Sequence, residues 1–345
     1  MGSSWCALET QNLHSSAMGT KILTSSSQGF EIECKEIHDS WGRVNQLVRS
    51  LATRSKLERQ QIRETYKAMY GEDITSFLER MCISAGHRKE AKIGSKVFAA
   101  LSLWMIHPHE RDAIVAMEAL EQGDTNYRAL VEIFVGRKSS HIMLTKQAYL
   151  ARFRRQLDQD IINLEPPNPY QKILVALSAS HKAHQADVSQ HIAKCDAKRL
   201  HEAGEGSSGA NEEAVMLEIL SKRSIPQMKL TFSSYKHIYG DEYTAKLKKE
   251  NSCEFEDSLK TVITCMCNPP KYYAKALYAS IRGTTTDRGA LARVMMSRAE
   301  IDMDEIQDFF KKKFGMELRD AICEAIPSGD YRDFLVALAT KRIAS

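Results

Sequence analysis

An arginine is followed twelve residues later by an aromatic residue, and four residues after that by a second aromatic, at four places along this 345-residue chain. The four sets are Arg54, Tyr66 and Tyr70; Arg137, Tyr149 and Phe153; Arg223, Tyr235 and Tyr239; and Arg298, Phe310 and Phe314. Because the same offsets recur four times, the chain is predicted to consist of four repeats.

Further positions keep a constant distance from each arginine. Apolar residues lie seven before it (Leu47, Leu130, Met216, Leu291), apolar residues or Thr lie eight after it (Ile62, Thr145, Thr231, Ile306), and apolar residues lie twenty-four after it (Leu78, Ile161, Leu247, Ile322). Offsets of four, eight and twelve place side chains on one helix face, whereas strands alternate every two residues. The arginines are 83, 86 and 75 residues apart, which is room for four or five short helices per repeat. We therefore expect an all-α protein.

Prolines and changes of composition indicate the repeat boundaries. His107-Pro108 and Asn268-Pro269 each end one apolar helix before another begins. We predict a Ser-rich N-terminal tail at 1–29, repeats at 30–105, 106–180, 195–267 and 268–342, and a connector at 181–194. The two similar proline links predict that repeat one pairs with repeat two, and repeat three with repeat four.

The register also predicts local roles for its residues. Glycine follows the second aromatic in three repeats, as Gly71, Gly240 and Gly315, and suits a helix C-terminus because it accepts positive φ. Each arginine is expected to interact with the negative end of its helix or to pair with a carboxylate of its own repeat. The aromatic residues are expected to pack in the core.

Composition limits the class of protein. Hydrophobic residues make up 43% and charged residues 27% of the chain, which are ordinary globular values. The longest apolar run, 97–106, is too short to span a bilayer, and the first twenty residues lack a secretory pattern, so a cytoplasmic protein is expected. A net charge of +4 argues against nucleic-acid binding through bulk charge, while local basic patches remain available for anionic lipid.

The eight cysteines lack the paired spacing of a metal site and are expected to be mostly reduced core residues. Cys265-Met266-Cys267 has two interpretations, a redox-sensitive cluster or a buried helix of soft apolar side chains. The second interpretation is favoured by the helical pattern around it.

Longer stretches of repeats three and four are specific enough to indicate a family. They are Asp196-Ala197-Lys198-Arg199-Leu200-His201-Glu202-Ala203-Gly204-Glu205, Leu220-Ser221-Lys222-Arg223-Ser224, Asn268-Pro269-Pro270, Arg298-Ala299-Glu300-Ile301-Asp302-Met303 and Ser328-Gly329-Asp330-Tyr331-Arg332-Asp333-Phe334-Leu335. In these stretches the chain resembles the annexins, over about residues 30 to 342, and 104–112 looks most like their plant branch.

The resemblance implies a slightly curved disk of four helical repeats, about five helices each, whose convex face binds anionic phospholipid through calcium. In annexins the calcium loop is Gly-x-Gly-Thr, and a carboxylate about forty residues later completes the site. Calcium takes about six to eight oxygen ligands, so loop carbonyls and one carboxylate leave positions for water or lipid phosphate.

Repeats one and two depart furthest from that motif. Repeat one has Arg43 where Thr is expected and Met81 where the carboxylate is expected. Repeat two reads Gln122-Gly123-Asp124-Thr125, without either expected glycine, and has Leu164 at the acid position. Calcium binding is therefore expected to be lost in both.

Repeats three and four each keep part of the motif. The candidate ligands in repeat three are Gly206, Gly209 and the in-register carboxylate Glu250. In repeat four they are Ile281, Gly283, Thr285 and Glu324, the last beside Ala325 at the expected acid position. We expect weak calcium binding, first in repeat four and second in repeat three.

Three functional classes remain open. The first is a peripheral protein of the plasma membrane or endomembranes that binds anionic phospholipid through attenuated calcium sites. The second is a calcium-independent scaffold that docks to lipid or protein through Arg43 and Arg282, or that self-associates on membranes. The third is an enzyme, which the motifs do not support. Asp39-Ser40-Trp41-Gly42 matches a guanine-nucleotide pattern without a phosphate loop, and His38, a conceivable haem ligand, lies at a position typical of packing.

Overall fold

The computed structural model describes residues 28–40, 43–86, 92–121, 125–179, 188–205, 209–247, 254–283 and 288–340. Within these ranges every regular element is a helix and no strand occurs. The prediction of an all-α fold is confirmed. No helix in this part of the chain is long and apolar enough to cross a membrane.

Five helices follow one another in each predicted repeat. Repeat one contains α1 (28–39), α2 (Val44–Ala52), α3 (Lys56–Tyr70), α4 (Ile74–Gly86) and α5 (Lys92–Met105). Repeat two contains α6 (Pro108–Glu121), α7 (Tyr127–Gly136), α8 (Ser139–Phe153), α9 (Leu157–Ile162) and α10 (Pro169–Ser178). Repeat three contains α11 (Gln190–Glu205), α12 (Gly209–Lys222), α13 (Ile225–Tyr239), α14 (Tyr243–Lys246) and α15 (Glu254–Cys267). Repeat four contains α16 (Pro269–Arg282), α17 (Arg288–Arg298), α18 (Met303–Phe314), α19 (Leu318–Ala325) and α20 (Asp330–Thr340).

Two predicted boundaries fall near helix ends. The described part of α1 already includes residues 28 and 29, which lie within the stretch 1–29 predicted as a tail. Helix α11 begins at Gln190, within the stretch 181–194 predicted as a connector, of which 181–187 lie outside the described residues.

The third helix of each repeat carries both register aromatics and ends just after the second. Helices α3, α13 and α18 end at Gly71, Gly240 and Gly315, whose φ values are +76°, +86° and +74°. Only glycine adopts this left-handed region without steric cost. In repeat two the residue at this position is Arg154, which takes φ +57° in place of a glycine.

The register positions form the core. All twelve apolar or Thr positions that keep a constant distance from the arginines are at most 3% exposed. The two buried threonines are satisfied locally, because the Thr145 hydroxyl donates to His141 O at 3.0 Å and the Thr231 hydroxyl donates to Gln227 O at 3.1 Å. The apolar spacing in the sequence therefore corresponds to buried helix faces.

The paired aromatics pack the third helix of a repeat against its first helix. The first aromatic is buried: Tyr66, Tyr149, Tyr235 and Phe310 are at most 3% exposed. The second aromatic stacks on a ring of the first helix in three repeats: His38 on Tyr70 at 4.0 Å between centroids, His201 on Tyr239 at 3.7 Å, and Tyr278 on Phe314 at 3.9 Å. The predicted packing role is confirmed, and His38 has a place in that packing.

The described chain divides into two compact units, with the boundary inside repeat four. The first unit comprises repeat one and the end of the chain from Ile322, and the second comprises Pro108–Ala321. In the first unit α20 packs on α2 and α5, and in the second α10 packs on α12 and α7 packs on α15. The predicted pairing of repeats is therefore wrong: repeat two packs on repeat three. A proline link reports where the chain changes direction, not which helix faces meet.

Candidate calcium and membrane-binding site

The register arginines hold the helices that lead into each candidate loop. Arg54 pairs with Glu33 at 2.8 Å, Arg137 with Asp112 at 2.7 Å and Arg223 with Asp196 at 2.7 Å, and each carboxylate lies on the first helix of the same repeat. These pairs tie the end of the second helix to the first helix. The expected pairing with a carboxylate of the same repeat is confirmed in these three repeats, and also in repeat four, where Arg298 pairs with Asp302.

In repeat four the register arginine, Arg298, has different partners. Tyr273 is the fifth residue of α16, as Asp112 is of α6, so no carboxylate is present there. The Arg298 guanidinium lies 4.5 Å from the centroid of the Tyr273 ring and pairs with Asp302 instead. The end of α17 therefore still contacts the first helix of the repeat, through an aromatic ring in place of a carboxylate.

The repeat-four loop leaves α16 through three residues with different surroundings. Ile281 is 3% exposed, whereas Arg282 and Gly283 are exposed. The Gly283 N–H donates to Ala279 O at 2.9 Å, and its φ of −63° and ψ of 156° turn the chain out of the helix. Because Gly283 has no side chain, its exposure is exposure of the backbone, which is what carbonyl ligands of a calcium ion require. Thr285 lies outside the described residues.

Glu324 lies in the last turn of α19 and is exposed, whereas Ala325 at the expected acid position is half-buried. Consecutive helix residues are rotated by about 100°, so the two side chains leave the helix in different directions. Ile281 and Gly283 belong to the second unit and Glu324 to the first. Their joint coordination of calcium stays a prediction.

In repeat three a lysine of α14 places a positive charge beside the candidate loop, a feature that was not predicted from the sequence. The Lys246 ammonium of α14 donates to His201 O in α11 at 3.3 Å. A Cβ atom on Gly204, one residue before the end of α11, would lie only 2.3 Å from Lys246 Nζ. Of the candidate ligands, Gly209 begins α12, while Gly206 and Glu250 lie outside the described residues. The start of the repeat-three loop is therefore next to an ammonium group.

The beginning of α12 contributes a carboxylate to the same corner. Tyr243 is 1% exposed, and its hydroxyl donates to Glu212 Oε1 at 2.8 Å. The hydrogen bonds of Lys246 and Tyr243 thus connect α14 to α11 and to α12. The available sequence signal was the basic run Lys246-Leu247-Lys248-Lys249 immediately before Glu250.

In repeat two, two aromatic rings stack between α7, which follows the candidate loop, and α10, which follows the expected acid position. Tyr127, the first residue of α7, stacks on Tyr170 near the start of α10, with 5.6 Å between centroids and 13° between planes. Burial raises the pKa of Tyr127, and its hydrogen bond to Thr125 acts in the opposite direction. Ring packing therefore connects α7 and α10.

The two predicted lipid-facing basic residues are both exposed. Arg43 precedes α2, and its N–H donates to Ser40 O at 2.8 Å. Arg282 is the last residue of α16, and its Nη2 lies 3.6 Å from Met316 Sδ. Within the described residues, no cluster of three or more His, Cys, Asp or Glu side chains is arranged to hold a metal ion.

Most of the chain is similar to known proteins of one family. A family model described as Annexin matches residues 34–87, 195–262 and 272–338. The chain is 32% identical over 313 residues to Annexin D2 of Arabidopsis thaliana, covering 89% of this chain and 94% of that one. It is also 32% identical over 323 residues to Annexin A13 of Homo sapiens, covering 91% and 97%. The solved structure of annexin III is similar with a TM-score of 0.78 and 30% identity, over 90% of this chain and 93% of that one.

Proposed function

This chain belongs to the annexin family, and on that basis we propose that it is a peripheral membrane protein whose attenuated calcium sites bind anionic phospholipid. The annexins are generally calcium-dependent phospholipid-binding proteins, and the fold of this chain is theirs. The observation that carries the proposal is the exposed backbone of Gly283, two residues after the buried Ile281 side chain.

Repeat four is the proposed calcium site because it keeps the first glycine of the motif, Gly283, at an exposed position directly after α16. Repeat three has the Lys246 ammonium at the start of its loop, and repeat one has Arg43. Repeat two lacks both expected glycines and has Leu164 at the acid position. With an incomplete ligand set, the dissociation constant for calcium is expected at the weak end of protein sites, about 10⁻⁴ to 10⁻³ M. Lipid phosphate raises the apparent affinity by supplying further oxygens.

The test is cosedimentation with phosphatidylserine vesicles in chelator and at calcium concentrations rising to the millimolar range. We expect the bound fraction to increase with calcium. Binding that is the same in chelator and in calcium would contradict the proposal and favour the scaffold.

Variants of two glycines locate the site. Gly283→Glu places a side chain over the exposed backbone of repeat four and should reduce calcium-dependent binding at least about tenfold, since each lost ligand costs on the order of 1–3 kcal/mol. Gly123→Glu makes the same change in the repeat-two loop and should have little effect. Equal losses in both variants would refute the ranking of the repeats.

The second candidate is calcium-independent docking to anionic lipid, and the exposure of both Arg43 and Arg282 favours it. A basic residue near an anionic surface contributes about 1 kcal/mol. The double variant Arg43→Gln and Arg282→Gln should therefore reduce vesicle binding in chelator about thirtyfold if this candidate is correct. We propose no catalytic role for the chain. Turnover of nucleotide or peroxide that survives repurification would contradict this.

A further inference from the structure

A cavity of about 350 Å³ opens in the second unit where α13, α14, α15 and the start of α16 meet. This volume lies in the range of about 300–1,000 Å³ that is usual for small-molecule sites. Of the candidate calcium-loop residues that the structure describes, none lines it. The cavity is therefore a separate feature of the fold.

The charged groups on the cavity wall are mostly ammonium groups. Lys229 and Lys236 come from α13, and Lys271 comes from the first turn of α16. Glu242 is the one carboxylate among the lining residues and pairs with Lys236 at 3.2 Å. Three positive charges and one negative charge leave the described lining residues with a net charge of +2.

The interior of the cavity is apolar. Phe232, Tyr243 and Ile263 line it and are 7%, 1% and 3% exposed. The Phe232 and Tyr243 rings stack with 5.8 Å between their centroids. The cavity thus offers an apolar wall to a ring or acyl group beside a positively charged rim.

The start of α16 contributes side chains to the rim. Pro269 and Pro270 have no N–H, and the Lys271 N–H donates to Asn268 Oδ1 at 3.1 Å. With Oδ1 occupied in this way, the Asn268 amide nitrogen is the donor that remains for a ligand. An anion here would be held by lysine and amide side chains, with the positive end of the helix dipole adding to the attraction.

The cavity lies at the opposite end of α15 and α16 from the loops considered for calcium. Its lining includes Cys267 at the end of α15 and Lys271 at the start of α16, whereas Gly283 follows the last residue of α16. Helix α16 has 14 residues, and a rise of 1.5 Å per residue makes it about 20 Å long. A ligand in the cavity would not compete with calcium at repeat four.

We propose that this cavity binds a phosphate monoester that carries an aromatic or acyl group. A phosphate monoester has a charge of about −1.5 to −2 at neutral pH, which matches the net charge of the wall. A carboxylate or a phosphodiester brings only one negative charge. Lysine ammonium groups are suitable phosphate ligands because three donors rotate freely on a flexible stem. A soluble phosphorylated metabolite and a lipid with a terminal phosphate share this chemistry.

The first test is calorimetric titration with phenyl phosphate in chelator, with benzenesulfonate as a control that keeps the ring but has one charge. We expect saturable binding of phenyl phosphate and at least about tenfold weaker binding of benzenesulfonate. The double variant Lys229→Met and Lys271→Met should weaken phenyl phosphate binding at least about tenfold. Lys275→Met, on an exposed position of α16 outside the cavity, should leave it unchanged.

A second readout uses the thiol on the cavity wall. Cys267 as a whole residue is exposed. Protein atoms packed around its sulfur nevertheless raise the thiol pKa to about 11, and the Lys229 charge acts in the opposite direction. Bound phenyl phosphate should slow alkylation of Cys267, measured by peptide mass spectrometry, at least about fivefold at saturation. Cys195 in α11 is exposed outside the cavity and serves as the internal control.

Vesicles distinguish the two sources of the phosphate group. If phosphatidic acid vesicles bind the protein in chelator more tightly than phosphatidylserine vesicles, and the double lysine variant removes the difference, the ligand is a lipid. If phenyl phosphate binds and the vesicles do not discriminate, it is soluble.

Three results would overturn the proposal: no saturable binding of phenyl phosphate up to about 10 mM, equal binding of benzenesulfonate, or equal losses in Lys275→Met and the double variant. Every arm is run without calcium. Failure here therefore leaves the proposed calcium-dependent function untouched.

Discussion

At the residue scale, the register arginines show how one position keeps its role while its partner changes. Three of the four pair with a carboxylate on the first helix of the repeat, and Arg298 turns to Asp302 because Tyr273 occupies the position of that carboxylate. The pair of Arg137 with Asp112 is nearly fully buried. Burial alone would raise the pKa of Asp112, but the Arg137 charge and the hydrogen bond from His141 outweigh it and hold the pKa well below its ordinary value.

Asp112→Asn is expected to lower the free energy of unfolding at pH 7 by about 3 kcal/mol, because it leaves Arg137 without its charged partner. Since the folded pKa of Asp112 is depressed, its contribution is present above the ordinary value of 3.8 and is lost as the pH falls toward the folded pKa. Urea unfolding across this range should show the wild type and the variant converging below about pH 4. Asp158→Asn, in a partly exposed pair with Lys146, should cost at most about 1 kcal/mol.

Arg154 gives a second prediction at this scale. It takes φ +57° at the position where the other repeats have glycine, and a side chain in this region costs about 1–2 kcal/mol. Arg154→Gly should therefore raise the free energy of unfolding by roughly 0.5–1 kcal/mol after the larger entropy of the unfolded glycine is subtracted. Arg152→Gly, inside the last turn of α8, should lower it by about 1 kcal/mol. A lower melting temperature for Arg154→Gly would contradict the strain argument.

At the element scale, the short helix α14 places a positive charge beside the candidate loop of repeat three. Its Lys246 ammonium donates to the end of α11 and lies against Gly204, beside the start of the candidate loop. A cation supplied by the protein opposes a calcium ion at the same corner. The retained carboxylate predicted at Glu250 is therefore insufficient evidence for a calcium site in this repeat.

Removing that charge should increase the response to calcium. Lys246→Ser is expected to lower the calcium concentration at half-maximal vesicle binding about fivefold, since one unit charge at about 4 Å changes binding by about 1 kcal/mol in water. Lys222→Ser removes the same charge from an exposed position of α12 and serves as the control. An unchanged midpoint for Lys246→Ser would show that the ammonium does not oppose calcium.

At the scale of the whole molecule, each compact unit joins segments that are distant in the chain. In the first unit α20 packs on α2 and α5. In the second, Glu132 of α7 accepts hydrogen bonds from Arg293 of α17 at 3.1 Å and from the Tyr272 hydroxyl of α16 at 3.3 Å. Glu132 is 7% exposed, so this contact between repeats two and four has little competition from water.

Glu132→Gln should destabilise the second unit by about 3 kcal/mol, because it removes the negative charge from the buried pair of Glu132 with Arg293. Hydrogen exchange is the suitable measurement, since it resolves the units. Protection is expected to fall in α7, α16 and α17, while α2, α3 and α5 keep theirs. Glu213→Gln, which removes the surface pair with Lys172, should change protection little. A uniform loss of protection across both units would contradict the assignment.

The sequence by itself determined the four repeats, the all-α class, the buried register positions and the glycine caps. These features depend on spacing within one helix or one turn, which periodicity reports directly. The tertiary structure decided that repeat two packs on repeat three and that α20 packs on repeat one. It also decided that Lys246 reaches α11, that Tyr127 stacks on Tyr170, and that three lysines share one cavity. These contacts join residues on different helices, and no local spacing encodes which helix faces will meet.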